Sequence, residues 1–334
     1  KTNMDAGVVQ EHKGISWATG SDPHAFFSIH NILKNLHQDD DKGEIMKGGS
    51  RGAHPAWLCP GGVFCEKYDS FAFTSPAQDK LNVAVSGSTS DHLPAQLSQL
   101  RRMARKWNVT GDDWKLVIVQ TGMGDLCRRA CDDKQETAGE NFQFRVQTLL
   151  DNLQTNMARS IVSLILLPDI SQLPAYFKKH RSKCGADAQR IARAQCPCAF
   201  PPDDQSRYRL SAMVADFNDR LLKVAEGVNK RRDILFGVHI SRFMEDTVML
   251  KHTRPDTLSP IDCLHVNHRG QALVARMFWK SLFRDYSEQA THPDLAPDSD
   301  GSSVYCMADE DHIKLYNNYG NNGRQNAEAE HEEV

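Results

Sequence analysis

Asp262 and His265 sit three residues apart in the run Ser259-Pro-Ile-Asp-Cys-Leu-His265, just ahead of an apolar helical stretch that opens near His268. That spacing lets a carboxylate hold one ring nitrogen of an imidazole and leaves the other free to act as a general base for a serine nucleophile. An Asp-x-x-His pair is a weak signal alone, because such pairs arise by chance in surface loops. Its weight depends on the elements that would position it.

Those elements alternate between about residues 80 and 285. Short apolar runs predict strands over Leu81–Ser86, Trp114–Gln120, Ile161–Leu167 and Asp233–Ile240. Runs with apolar residues at helical spacing predict helices over Asp91–Lys106, Asn141–Met157, Tyr208–Asn229 and His268–Phe283. Apolar strands alternating with helices indicate a mostly parallel sheet covered on both faces, hence a three-layer α/β/α domain over residues 1–285. Ligands of such sheets bind at the carboxyl ends of the strands. Three features fall there: Ser86-Gly87-Ser88 after the first strand, Thr121-Gly-Met-Gly-Asp125 after the second, and the Asp262/His265 loop. A base, its orienting carboxylate and backbone N–H groups at one sheet edge form a constellation suited to acyl transfer. Residues 38–80, rich in Gly, Asp and Pro, read as a surface insertion. Residues 286–334 read as a polar, largely disordered tail.

Composition narrows the partners. Apolar content of 40%, charged content of 25% and a net charge of -3 with interspersed signs are ordinary for a soluble globular chain and give no basic stripe for nucleic acid. No run approaches the roughly 18 apolar residues needed to cross a bilayer. Nine cysteines suit an oxidising compartment. They cluster as Cys59/Cys65, Cys127/Cys131 and Cys184/Cys196/Cys198, with Cys263 and Cys306 apart. These spacings lack the paired Cys-x2-Cys rhythm of structural zinc sites, so disulfides are expected and no metal is. The odd count leaves one thiol over, for which Cys306 is the candidate. Asn108-Val-Thr110 is a glycosylation acceptor triplet and adds weak support for a secretory route. The chain opens at Lys1 with no initiator Met, and so reads as processed or as a fragment.

The three sheet-edge blocks together resemble the GDSL (SGNH) hydrolases. The carriers are Asn82-Val-Ala-Val-Ser-Gly87, the run from Trp114 through Thr121-Gly-Met-Gly-Asp125 to Cys127, and Ser259–His265. More narrowly they are similar to the phospholipase B branch, as are Lys13-Gly-Ile-Ser-Trp-Ala-Thr-Gly-Ser-Asp22, Asn31-Ile-Leu33 and the Cys184…Cys196-Pro-Cys198 spacing. The resemblance covers about residues 13 to 285. It implies a flavodoxin-like sheet, with Asp262 and His265 as triad acid and base and the Gly87 N–H as an oxyanion donor. Serine chemistry of this kind needs no metal or organic cofactor. The implied substrates are lipid or phospholipid esters met at a membrane surface, outside the cell or on the extracellular face of the membrane.

Two departures stand out. The family's third block usually carries a side-chain amide where this chain has Gly124, and loss of one oxyanion donor costs on the order of 10²–10³ in rate. The family's Gly-Asp-Ser nucleophile block precedes the Gly14 region, where this chain has thirteen residues and no serine. The nucleophile, and the first strand that carries it, are therefore expected upstream of Lys1. Ser21, Ser86 and Ser88 read as loop residues. His239 reads as a satisfied core histidine, Arg101, Arg102 and Arg105 as a solvated helix face, and Trp17, Phe26 and Phe27 as core. Gly122/Gly124 lack the surrounding pattern of a phosphate loop. A catalytically dead or lipid-binding relative of the same fold is the first alternative. A disulfide-stabilised structural domain, with an incidental Asp-x-x-His, is the second.

Overall fold

The computed structural model describes residues 8–11, 13–22, 27–36, 48–51, 54–57, 79–131, 138–245, 255–289, 305–308 and 310–317. Phe26 and most of the 38–80 segment, Cys59 and Cys65 included, lie outside the described residues. Strand β1 (Val8–Glu11) pairs antiparallel with β2 (His54–Trp57), joining the start of the chain to that segment. Helix α1 (Ile29–Leu36) follows β1 in the chain, and α2 (Leu93–Lys106) precedes β3 (Lys115–Val119). Then come α3 (Met123–Arg129), α4 (Ala138–Asn156) and β4 (Ser160–Ile165). Two short helices, α5 (Leu173–Lys179) and α6 (Ala186–Gln195), lead to the long α7 (Asp204–Asn229). Strand β5 (Phe236–Ser241) and α8 (His268–Leu282) complete the order.

The three strands β3-β4-β5 form one parallel sheet in that spatial order. Side chains alternate across it, as period-2 geometry requires. Val117, Val119, Val162, Leu164, Phe236, Val238 and Ile240 face a core shared with α4 and α7, where Phe142 stacks on Phe217 with centroids 4.3 Å apart. Leu116, Ile118 and Ile165 face the opposite core, built with α1, α8, Phe243 and the edge of Trp17. Helices therefore cover both faces, and the fold is the three-layer α/β/α arrangement expected from the apolar runs. Trp17 packs on Phe278 as expected. Phe27 is half-buried beneath the Arg276 guanidinium, 3.8 Å from its ring centroid.

Leu81–Ser86 does not form the expected strand. Residues 82–85 join no ladder, and Ala84 and Ser86 are exposed. A strand exists by pairing, and among the described residues β3 pairs with β4 alone and exchanges no ladder hydrogen bond with this segment. The segment is held instead by polar contacts. Lys13 Nζ donates to the Ala84 carbonyl at 3.2 Å and pairs with buried Asp79 at 3.3 Å, while Asn82 Nδ2 donates to Thr19 Oγ1 at 2.8 Å.

The opposite edge of the sheet is closed. Tyr316 N donates to the Val238 carbonyl at 2.9 Å, and the Asn229 amide binds Val238 N, Val238 O and Tyr316 O at 2.7–2.8 Å. The Leu315 side chain lies where a Cβ on Gly237 would be. The stretch that reads as tail in the sequence is thus structured over 305–308 and 310–317, anchored further by the Trp279 indole N–H donating to Tyr305 O at 2.9 Å. Its mean polarity hides widely spaced apolar anchors, Tyr305, Ile313, Leu315 and Tyr316.

Among the described residues, three disulfides join Cys127 to Cys196, Cys131 to Cys198 and Cys184 to Cys263. Cysteine clusters distant in sequence therefore meet at one end of the sheet.

Candidate active site

The loop before α8 is tightly closed on itself. Ser259 N donates to His265 O at 2.7 Å, Cys263 N to Ser259 O at 2.8 Å, and Leu258 bridges Val266 antiparallel. Asn267 caps α8, its Oδ1 accepting from Gly270 N at 3.1 Å, and its Nδ2 donates back to Asp256 O and Leu258 O at 2.7 and 2.9 Å. An Asn directly before a helical run is a readable N-cap; its second task, tying the loop's entry to its exit, is a tertiary feature.

Inside this ring the Asp262 carboxylate is buried and accepts three hydrogen bonds. Oδ1 takes Leu264 N at 3.0 Å and His265 N at 3.1 Å, and Oδ2 takes His265 Nδ1 at 2.8 Å. Burial alone would raise the Asp262 pKa, but the His265 contact and the two amides outweigh it, and the carboxyl is held below its ordinary range. For His265 desolvation pulls the other way from Asp262, whose hydrogen bond and charge win and raise the imidazole pKa. With 63% of its side chain exposed, the ring feels partial desolvation at most, consistent with that balance. A buried acceptor fixes Nδ1 as the protonated nitrogen and turns Nε2 outward. Among the described residues, no hydroxyl is hydrogen-bonded to Nε2.

The other two blocks meet one another. Gly87 has φ +70°, a left-handed turn that favours glycine, and its N–H has no protein partner among the described residues. Asp125 is buried on α3 and accepts from both Ser90 N and Ser90 Oγ at 2.8 Å, so it clamps the loop after Gly87 onto α3. Burial raises its pKa against those two hydrogen bonds. Arg129 and Arg145 both pair with neighbouring Asp91. Gly124 packs so tightly under this loop that a Cβ there would collide with the Ser88 carbonyl. A side chain at this position would need the Ser88 backbone to shift.

Ser21 Oγ donates to Ser50 O at 2.9 Å, Ser88 Oγ accepts from Gln96 Nε2 at 3.1 Å, and Ser86 is exposed; among the described residues none of the three is hydrogen-bonded to His265. His239 is the satisfied core histidine expected, bonded to Ser163 Oγ at 2.8 Å and Ser281 O at 3.1 Å, with burial lowering its pKa to about 4. Arg101, Arg102 and Arg105 are exposed on α2. Asn108 is also exposed. No hydrogen bond among the described residues joins His265 to the Gly87 or Gly124 loops. The link is covalent: Cys127 and Cys131, on and just after α3, bind Cys196 and Cys198, and α6 runs between those and Cys184, which binds Cys263. Disulfide connectivity is a property of the folded chain that cysteine spacing does not specify.

A paired, outward-facing imidazole on the loop before α8 coincides with a family match. The model of GDSL-like lipase/acylhydrolase matches residues 66–278. The chain belongs to this family. Among curated proteins it is similar to the membrane-associated phospholipase B1 of mouse, 28% identical over 219 residues, 63% of this chain and 14% of that protein. Against the rat protein of the same name it is 25% identical over 297 residues, 85% of this chain and 18% of the relative. The human protein is 24% identical over 219 residues, 63% and 14% respectively. The chain thus spans between 14% and 18% of the length of these relatives. Asp262 and His265 lie within the span matched by the family model.

Proposed function

We propose that this chain carries the acid–base half of a carboxylic-ester hydrolase acting on lipid or phospholipid esters. The observation that carries the reading is the buried, triply bonded Asp262 carboxylate holding Nδ1 of an exposed His265. In this reading Nε2 of His265 takes the proton of a serine hydroxyl as oxygen attacks the ester carbonyl, then passes it to the leaving alcohol. Asp262 keeps the ring in the required tautomer and stabilises the imidazolium. The Gly87 N–H, with Gly124 beside it, lies in the loops suited to the oxyanion. The serine belongs to a Gly-Asp-Ser block, as the family resemblance implies. Three disulfides and the Asn108 acceptor support an extracellular setting, secreted or at the membrane face.

The test uses the native protein and a fluorophosphonate probe, which labels an activated serine. Labelling and turnover of a lysophospholipid are expected, both lost in His265→Ala; full labelling of that variant sinks the assignment. A specific observation favours the alternative of a lipid-binding, catalytically dead relative: Gly124 has no room for the amide donor unless the Ser88 backbone shifts. Vesicle binding by a native protein that takes no probe would establish it.

A further inference from the structure

Cys263 lies between the two residues of the pair and has φ +48°, a conformation uncommon for a residue with a Cβ. That left-handed turn directs the next two amides, Leu264 N and His265 N, back onto Asp262 Oδ1. The Cys263 side chain is buried and bonded to Cys184, 79 residues earlier. Cys184 is itself fixed: its N–H donates to His180 O at 2.8 Å at the end of α5, and α6 ties it to Cys196 and Cys198, bonded to Cys127 and Cys131. Of the two side chains between acid and base, Leu264 is half-buried against the core, and the fully buried one, Cys263, is held covalently by a braced block.

We propose that the Cys184–Cys263 bridge positions the general base, holding Cys263 in its left-handed turn so that the Asp262 carboxylate meets His265 Nδ1. The proposal rests on the triad reading above. It makes Cys263 a positioning residue: it touches neither substrate nor reacting atoms. Among the described residues, the charge acting on the His265 imidazole is that of Asp262.

The test is an NMR titration of the His265 ring in the full chain, alongside Cys184→Ala/Cys263→Ala and the control Cys127→Ala/Cys196→Ala. Wild type should titrate above the ordinary imidazole value of about 6.5 and show a hydrogen-bonded Nδ1 proton. In Cys184→Ala/Cys263→Ala the midpoint should fall toward the ordinary value and that proton should be lost, with core amide shifts of β3–β5 retained. The control keeps Cys184–Cys263 and leaves Cys131–Cys198 to brace the block, so it should move the midpoint less than the first variant does. An unchanged midpoint in the first variant, or an equal change in the control, overturns the proposal. If the first variant does not fold, Cys184→Ser/Cys263→Ser is measured in its place, since serine is close to cysteine in size and keeps the Cβ that makes the left-handed turn uncommon. Failure of both to fold also overturns it, because the bridge would then hold the domain rather than the loop. None of these readouts uses turnover, so the esterase reading stands or falls separately on His265→Ala.

Discussion

Replacing Asp262 by Asn removes one charge while keeping shape, and the structure fixes what should follow. The amide oxygen can still accept from Leu264 N and His265 N, now at 3.0 and 3.1 Å. Its NH2 then faces His265 Nδ1, 2.8 Å from the present Oδ2, so two donors oppose each other unless the ring gives up its Nδ1 proton. The proton moves to Nε2, the position that must accept from a serine. Hydrogen bonds to charged partners contribute about 1.5–3 kcal/mol, and the exposed imidazole argues for the lower end, about 1.5 kcal/mol. The pH window follows from the directions of the shifts. The raised His265 pKa gives stability fully present below about 6.5 and lost as pH rises through the folded value. The lowered Asp262 pKa gives stability present above about 3.9 and lost as pH falls through its folded value. These describe one interaction and count once. Urea midpoints of wild type and Asp262→Asn should therefore differ most near about pH 5.5, where an imidazolium meets the carboxylate, and less near about pH 9, where a neutral imidazole donates to the still-ionised Asp262. Nitrogen-15 spectra should show the His265 proton on Nδ1 in wild type and on Nε2 in the variant. An equal deficit at both pH values, or an Nδ1 proton surviving in the variant, refutes the reasoning. In a working parent enzyme the same change should lower kcat by about 10⁴.

Two further substitutions probe the neighbouring loops. Gly124→Asn restores the family's amide on paper but forces the Ser88 carbonyl aside, so it should lose about 1–3 kcal/mol in thermal unfolding and gain no turnover; wild-type stability with faster hydrolysis would overturn that account. Asn267→Asp keeps the helix cap and suits the helix N-terminus, yet it sets a carboxylate against the Asp256 and Leu258 carbonyls. It should therefore cost about 1–3 kcal/mol in urea unfolding rather than stabilise, and a neutral result would show that the two carbonyls do not depend on it.

The chain announced its layers but not all its connections. Val117, Val162 and Val238 sit in runs apolar on both faces, and Val146, Leu150 and Leu153 follow a helical period, so β3–β5 and α4 are local patterns that any reader of the chain can extract. Leu81–Ser86 carries the same apolar signature and still forms no strand, because pairing depends on a neighbour that composition cannot show. The 170–200 excursion escaped because its two helices are only 7 and 10 residues long. Asp262 and His265 were legible from their spacing, since an i, i+3 contact across one turn is local. The bridge from Cys263 to Cys184 and the collision that a side chain at Gly124 would meet were not, since both arise between segments far apart in the chain.

The overlap of the bridges has a consequence for handling the protein. Cys127–Cys196 and Cys131–Cys198 enclose the chain up to α7, and Cys184–Cys263 begins inside them and runs on to the Asp262 loop. Every peptide bond from Cys127 to Cys263 is thus spanned by at least one disulfide. A single protease cut anywhere in that stretch yields two pieces that travel together on a non-reducing gel and differ from the intact chain by one water in mass. On a gel only reduction reveals the nick, so the integrity of a preparation judged by electrophoresis has to be read after the bridges are opened.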